Sequence, residues 1–191
     1  MKVVAFNGSP RKEGNTANLI KKVFAELEAE GIETEFVQIG GKKIKGCTGC
    51  MKCFEKKDKK CIIDNDILNE CLEKMIGADG IILGSPTYTA NVSSELKALI
   101  DRADLVGFAN ENLFKRKVGA AVIAVRRGGA VPAFDAINHF FQIHQVIITT
   151  SIYWNFGIGL MPGDVDDDEE GNRTMKHLGE NMAWLIKKIK A

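Results

Sequence analysis

Short apolar runs at residues 3–6, 35–39, 80–83, 118–125 and 146–149 read as buried strands. Between and after them the apolar positions change period and recur every three or four residues, as on one face of a helix. The stripes are Ala17, Ile20, Val23, Phe24 and Leu27; Ile67, Leu68, Cys71, Leu72 and Met75; and Leu96, Leu99 and Ile100. A fourth carries Phe134, Ile137, Phe140 and Phe141, and a fifth Met175, Leu178, Met182, Leu185, Ile186 and Ile189. Five strands alternating with five helices predict an α/β fold, a doubly wound five-stranded parallel sheet with helices on both faces. With 191 residues, 45% of them hydrophobic, and no internal repeat or linker, one domain spanning 1–191 is expected. In such sheets ligands bind beyond the carboxyl ends of the strands, where strand order reverses. That singles out the loops at 7–15, 85–92 and 126–132, all rich in small or polar residues.

Charge narrows the function classes. Twenty-six Lys and Arg against 25 Asp and Glu leave a net charge of +1, so no global field draws the chain to nucleic acid or to a membrane surface. The N-terminus has no apolar leader and no apolar stretch reaches ~18 residues, which predicts a soluble, cytoplasmic protein. The loop from Asn7 to Thr16 gathers hydroxyls and backbone N–H groups at a helix start, an anion site by its chemistry. It lacks both GxGxxG and GxxxxGK[ST], so a single phosphate suits it better than a dinucleotide or triphosphate. The plainer alternative is an ordinary turn with Asn15 or Thr16 capping the helix.

Three segments, GSPRKEGNT, GSPTYTANVSSELKALIDR and the cluster Cys47-Thr-Gly-Cys50-Met-Lys-Cys53, resemble the NAD(P)H-dependent FMN reductase and iron-sulfur flavoprotein group, which is flavodoxin-like in fold. The resemblance covers most of the chain. It implies that Ser9, Arg11, Asn15 and Thr16 hold the FMN phosphate, and that Pro86, Thr87, Tyr88 and Asn91 border the isoalloxazine, followed by Leu96, Lys97 and Asp101 in the next helix. Thr89-Ala90-Asn91 departs from the glycine-containing versions common in relatives. The resemblance also implies a homodimer or tetramer with the flavin near a subunit interface. Arg126 and Gly128, where the fourth strand ends, are candidates for flavin or pyridine-nucleotide contact, against a solvated strand end. His144 continues an apolar stripe and reads as packed core; His139 and His177 read as exposed.

Four of the five cysteines crowd into a loop at about 42–65, with the spacing Cys47-x2-Cys50-x2-Cys53-x7-Cys61. Structural zinc usually takes two CxxC knuckles separated by a longer span, whereas a CxxCxxC run with one further cysteine is a [4Fe–4S] habit. Zinc and free or disulfide-forming thiols remain alternatives. Cys71 lies on a helical core stripe, where cysteine behaves as a small hydrophobe. Eight lysines between Lys42 and Cys61, opposed only by Glu55 and Asp58, make this loop basic: a solvated loop, or a surface for an acidic ferredoxin-type partner. The acidic run 164–170 misses the glycine and glutamate positions of a calcium loop and reads as a solvated turn.

The expected function is an FMN oxidoreductase passing electrons between NAD(P)H or ferredoxin and an acceptor, through a [4Fe–4S] cluster on Cys47, Cys50, Cys53 and Cys61. The alternatives are an NAD(P)H:FMN or quinone reductase without a cluster, and a non-catalytic flavodoxin-like carrier.

Overall fold

The computed structural model describes residues 1–191. A parallel sheet in the order β2-β1-β3-β4-β5 forms from β1 (Lys2–Asn7), β2 (Glu33–Gln38), β3 (Gly80–Pro86), β4 (Val118–Val125) and β5 (Ile147–Ile148). Alternation along the strands sends side chains to two separate cores. Val4, Phe6, Ile81, Leu83, Ala121 and Ile123 face α3 (Leu68–Gly77), α4 (Ser94–Ala109) and α5 (Ala130–Ile143). Val3, Ala5, Ile82, Ala120 and Val122 face α1 (Asn15–Ala29) and α6 (Glu169–Lys190). The five predicted stripes therefore become the five long helices, three on one face and two on the other. Ile67, Phe134 and Leu185 are half-buried against these cores, and of the stripe positions only Ile189, at the end of α6, is exposed.

The fifth strand differs from expectation. Only Ile147–Ile148 pairs with the start of β4, opposite Val118 and Gly119. The chain then leaves the edge and returns as β6 (Phe156–Ile158), which pairs in parallel with Ile123, Ala124 and Val125. The fifth position is thus filled in two pieces, and the gap is bridged by Asn155, whose Nδ2 donates to the Ala121 carbonyl at 3.0 Å while its own carbonyl accepts from Ile123 N. His144 is buried as expected, against the rings of Phe108, Phe114 and Phe140. Its Nδ1 lies 2.8 Å from Asn112 Oδ1 and its Nε2 3.1 Å from Asp104 Oδ1; burial lowers its pKa despite the nearby carboxylate. No helix is long and apolar enough to cross a membrane.

Candidate functional site

At the carboxyl end of the sheet, Ser9, Arg11, Asn15, Thr16, Pro86, Thr87, Tyr88 and Arg126 share one cleft of about 190 Å³. Its first wall is the loop from β1 to α1. Gly14 stands at the helix N-cap, no side chain caps the first turn, and that turn carries no acidic residue. The alternative, a cap by Asn15 or Thr16, is therefore not what forms; both residues line the cleft instead, and Asn15 Oδ1 accepts from Gly163 N at 2.9 Å. An uncapped helix start offers its N–H groups and positive end to an anion. The loop is held from behind by Gln38, whose Nε2 donates to the carbonyls of Ser9 at 2.6 Å and Gly40 at 2.8 Å. A Cβ at Gly40 would fall 2.2 Å from the Ser9 carbonyl carbon, so only glycine lets the end of β2 lie against this loop.

The second wall begins where β3 ends. Thr87 N donates to the Ala124 carbonyl at 2.9 Å, while Thr87 Oγ1 is buried without a hydrogen-bond partner, a polar atom left for a ligand to satisfy. Tyr88 and Asn91 then close a tight hairpin through reciprocal backbone bonds of 2.9 and 3.0 Å. Its central residues, Thr89 at φ 48° and Ala90 at φ 55°, both occupy the left-handed region that glycine adopts more readily. The hairpin leaves Tyr88 half-exposed along the cleft. A phosphate-sized anion at one end, and a planar ring beside a free hydroxyl and an aromatic edge at the other, fit this donor set.

Some predicted residues lie elsewhere. Asn91 shapes the hairpin, its Oδ1 accepting from Val92 N at 2.8 Å, and does not line the cleft. Gly128 belongs to a neighbouring cavity with Arg127, Gly129 and Trp154. Leu96 is buried, and Lys97 pairs with Asp101 one turn along the exposed side of α4. Conversely, the sequence reading missed Ala124, Gly159 and Leu160, which complete the cleft from β4 and from the loop after β6. The acidic run is also more than a solvated turn. Asp164 accepts from Leu160 N and Met161 N at 2.9 and 2.7 Å, and Asp168 from Ile158 N at 2.7 Å, so these carboxylates hold the third wall in place. The clue was the position of that run directly after Gly159-Leu160, itself hidden by the unrecognised β6.

The other predicted centre is the loop between β2 and α3. Cys47, Cys50, Cys53 and Cys61 all line one small, mostly apolar cavity of about 20 Å³, closed by Met51, Ile62, Ile63 and, from α4, Arg102, Leu105 and Val106. Local order is slight: α2 (Lys52–Lys56) is a single short helix with no buried residue. Met51, Lys57 and Lys59 take left-handed φ values of 59°, 51° and 63°, unusual for residues with side chains. The loop is held by side chains from outside it. Arg102, with a fully buried side chain, pairs with buried Asp66 at 2.5 Å and donates to the carbonyls of Lys45 and Ile63 and to Cys61 Sγ at 3.4 Å. Asn69 brackets the Cys61 backbone, accepting from its N–H at 2.8 Å and donating to its carbonyl at 3.0 Å. Neither residue was foreseen, although Arg102 sits three residues after Leu99, on the apolar side of α4 where a charge calls for a partner.

The thiols differ by surroundings. Hydrogen bonds from the Lys52 amide and the Thr48 side chain lower the pKa of Cys50, and burial raises that of Cys53. Cys71 is fully inside the core, where burial pushes its thiol up to about 12, as its stripe position implies. No group of three or more His, Cys, Asp or Glu side chains converges as a single metal ion requires. A cuboidal cluster makes a different demand, one thiolate at each of four separated iron corners, and four cysteines spaced around one apolar cavity fit that donor set.

The sequence profile of the NADPH-dependent FMN reductase family matches residues 1–160. An iron-sulfur flavoprotein of Methanocaldococcus jannaschii is 42% identical over 100% of both chains, and one of Methanosarcina thermophila is 33% identical over 99% of this chain and 97% of that one. Among solved structures, a WrbA-like flavodoxin from Agrobacterium tumefaciens superposes with a TM-score of 0.67 over 98% of this chain and 97% of its own, at 15% identity.

Proposed function

From the premise that this chain belongs to the NADPH-dependent FMN reductase family and is an FMN-dependent oxidoreductase, we propose that it exchanges electrons between FMN in the cleft and a [4Fe–4S] cluster on Cys47, Cys50, Cys53 and Cys61. The observation that carries the reading is the shared cavity of those four cysteines, lined by none of the residues of the flavin cleft. When bound, FMN supplies the conversion between two-electron hydride chemistry and one-electron transfer, and the cluster supplies a one-electron store.

The residues of the chain place and insulate these groups. Ser9, Arg11, Asn15, Thr16 and the start of α1 bind the phosphate, and Arg126 adds positive charge beside it. Pro86 and Tyr88 border the ring, and the Thr87 hydroxyl satisfies a polar atom on its edge. Leu160 and Gly159 close the third side against water. NAD(P)H is the proposed hydride donor, and the lysine-rich exposed face of the cysteine loop receives an acidic ferredoxin-type protein. The chain is further proposed to work as a homo-oligomer in the cytoplasm.

The test is an absorption spectrum of protein purified without oxygen, before and after NADPH. Flavin bands on a broad visible cluster absorbance, both bleached by the nucleotide, support the reading. Flavin bands alone, bleached by NADPH, support a cluster-free reductase instead.

A further inference from the structure

We propose that Arg102 is the positioning residue of the cysteine site, fixing the loop in its ligating shape and donating the N–H that tunes the Cys61 sulfur. This inference rests on the cluster assignment above and adds to it a residue of α4 that belongs to no cysteine motif.

The geometry separates Arg102 from an ordinary surface arginine. Its side chain has no exposure, and burying a guanidinium without partners is strongly unfavourable, so its bonds explain its presence. Those bonds go to four places along the loop: the carbonyl of Lys45 ahead of Cys47, the sulfur of Cys61, the carbonyl of Ile63, and the carboxylate of Asp66. Both ends of the cysteine segment are thereby tied to one rigid planar group on a helix packed in the core. Asp66 completes the clamp by accepting from Lys45 N at 2.9 Å and Leu68 N at 3.1 Å. Because Asp66 balances the guanidinium charge, what reaches Cys61 is mainly a directed N–H dipole. An N–H donor to a ligating sulfur stabilises the more electron-rich, reduced cluster and so raises its potential. A lysine cannot reproduce this, since an ammonium cannot span four acceptors in a plane.

The experiment compares the full-length, FMN-bound protein with Arg102→Lys and Arg102→Gln, prepared without oxygen. FMN absorbance reports that the sheet and its cleft are intact. In the variants, iron should leave to a chelator roughly 10–100-fold more readily, the range typical for lost outer-shell partners of metal ligands. The cluster that remains should have a lower midpoint potential, a shift that general loosening of the fold would not direct. FMN-replete variants with the parent's chelator resistance and potential overturn the proposal. So do variants that lose FMN and iron together, because Arg102 would then serve the whole fold. If the parent itself lacks iron and labile sulfide, the cluster assignment fails, and the clamp is judged on the metal-free protein by trypsin cleavage at the loop lysines. Faster cleavage in Arg102→Gln than in the parent keeps the clamp; equal rates overturn it.

Discussion

The cleft at the carboxyl end of the sheet and the cysteine loop are built in opposite ways. The cleft grows from the ends of buried strands: β1, β3 and β4 deliver their loops to one edge, and main-chain bonds such as Gly8 N to the Gly84 carbonyl and Thr87 N to the Ala124 carbonyl fix them. The cysteine loop has almost no main-chain scaffold and depends on Arg102 and Asn69 reaching in from α4 and α3, with Asp66 at its own end pairing with Arg102. One helix joins the two regions. Ser93, the N-cap of α4, is tied to the cleft side through its N–H to Ser85 Oγ at 2.9 Å, and Arg102 lies nine residues on, roughly 14 Å along the axis at 1.5 Å per residue. Sites raised on strand ends can be preformed, whereas a loop held by a few side chains takes its final shape together with what it binds.

That contrast breaks most visibly at the cysteines. Serine at Cys47, Cys50, Cys53 or Cys61 should remove most of the iron and the broad visible absorbance while FMN stays bound, because the two sites share no lining residue. Cys71→Ala should keep the iron; losing it there, or retaining it in Cys61→Ser, contradicts the assignment. At the cleft, Arg11→Ala with Thr16→Ala should weaken FMN tenfold or more, since each hydrogen bond to a charged group contributes about 1.5–3 kcal/mol. Riboflavin, lacking the phosphate, should bind the variant and the parent alike in a fluorescence titration, and equal FMN affinities would end the phosphate-loop assignment.

A finer effect tests what holds the loop. Burial alone would raise the pKa of Asp66, but bonds from Arg102 and from the Lys45 and Leu68 amides outweigh it, so the carboxyl titrates below its ordinary value. A depressed folded pKa means that its contribution is fully present above the unfolded value of about 3.9 and is lost as pH falls through the folded one. The amide shifts of Lys45 and Leu68 should therefore stay constant from neutral pH to about 4 and move only below it. A midpoint at or above 3.9 would remove Asp66 from the clamp. The smallest effect belongs to the cleft hairpin. Relieving the left-handed strain of Thr89 gains about 1–2 kcal/mol, and the flexibility of glycine offsets about 0.5–1 kcal/mol of that. Thr89→Gly should thus raise the melting temperature slightly, and a fall would show that the threonine side chain is held by packing.

The sequence made the sheet and the long helices legible because the central strands are buried on both faces and read as continuous apolar runs, whereas each helix turns one apolar stripe to a single core. The run at 146–149 located β5, but β6 escaped because the fifth position is split and its second half is too short to carry a period. The loop from Asn7 to Thr16 and the cysteines were legible as local motifs. Ala124, Gly159, Leu160, Asn69 and Arg102 were not, since each acts on residues distant in the chain. Arg102 left one readable trace, a charge on the buried side of α4, yet its partners at Lys45, Cys61, Ile63 and Asp66 are brought together only by the fold.

The central claim, two redox groups on two independent sites of one chain, is tested most directly by measuring FMN, iron, zinc and acid-labile sulfide in protein prepared without oxygen. The account predicts one FMN and one [4Fe–4S] cluster per chain, with iron and sulfide in equal amounts and no zinc. Zinc without labile sulfide, or FMN with neither metal nor sulfide, would contradict it.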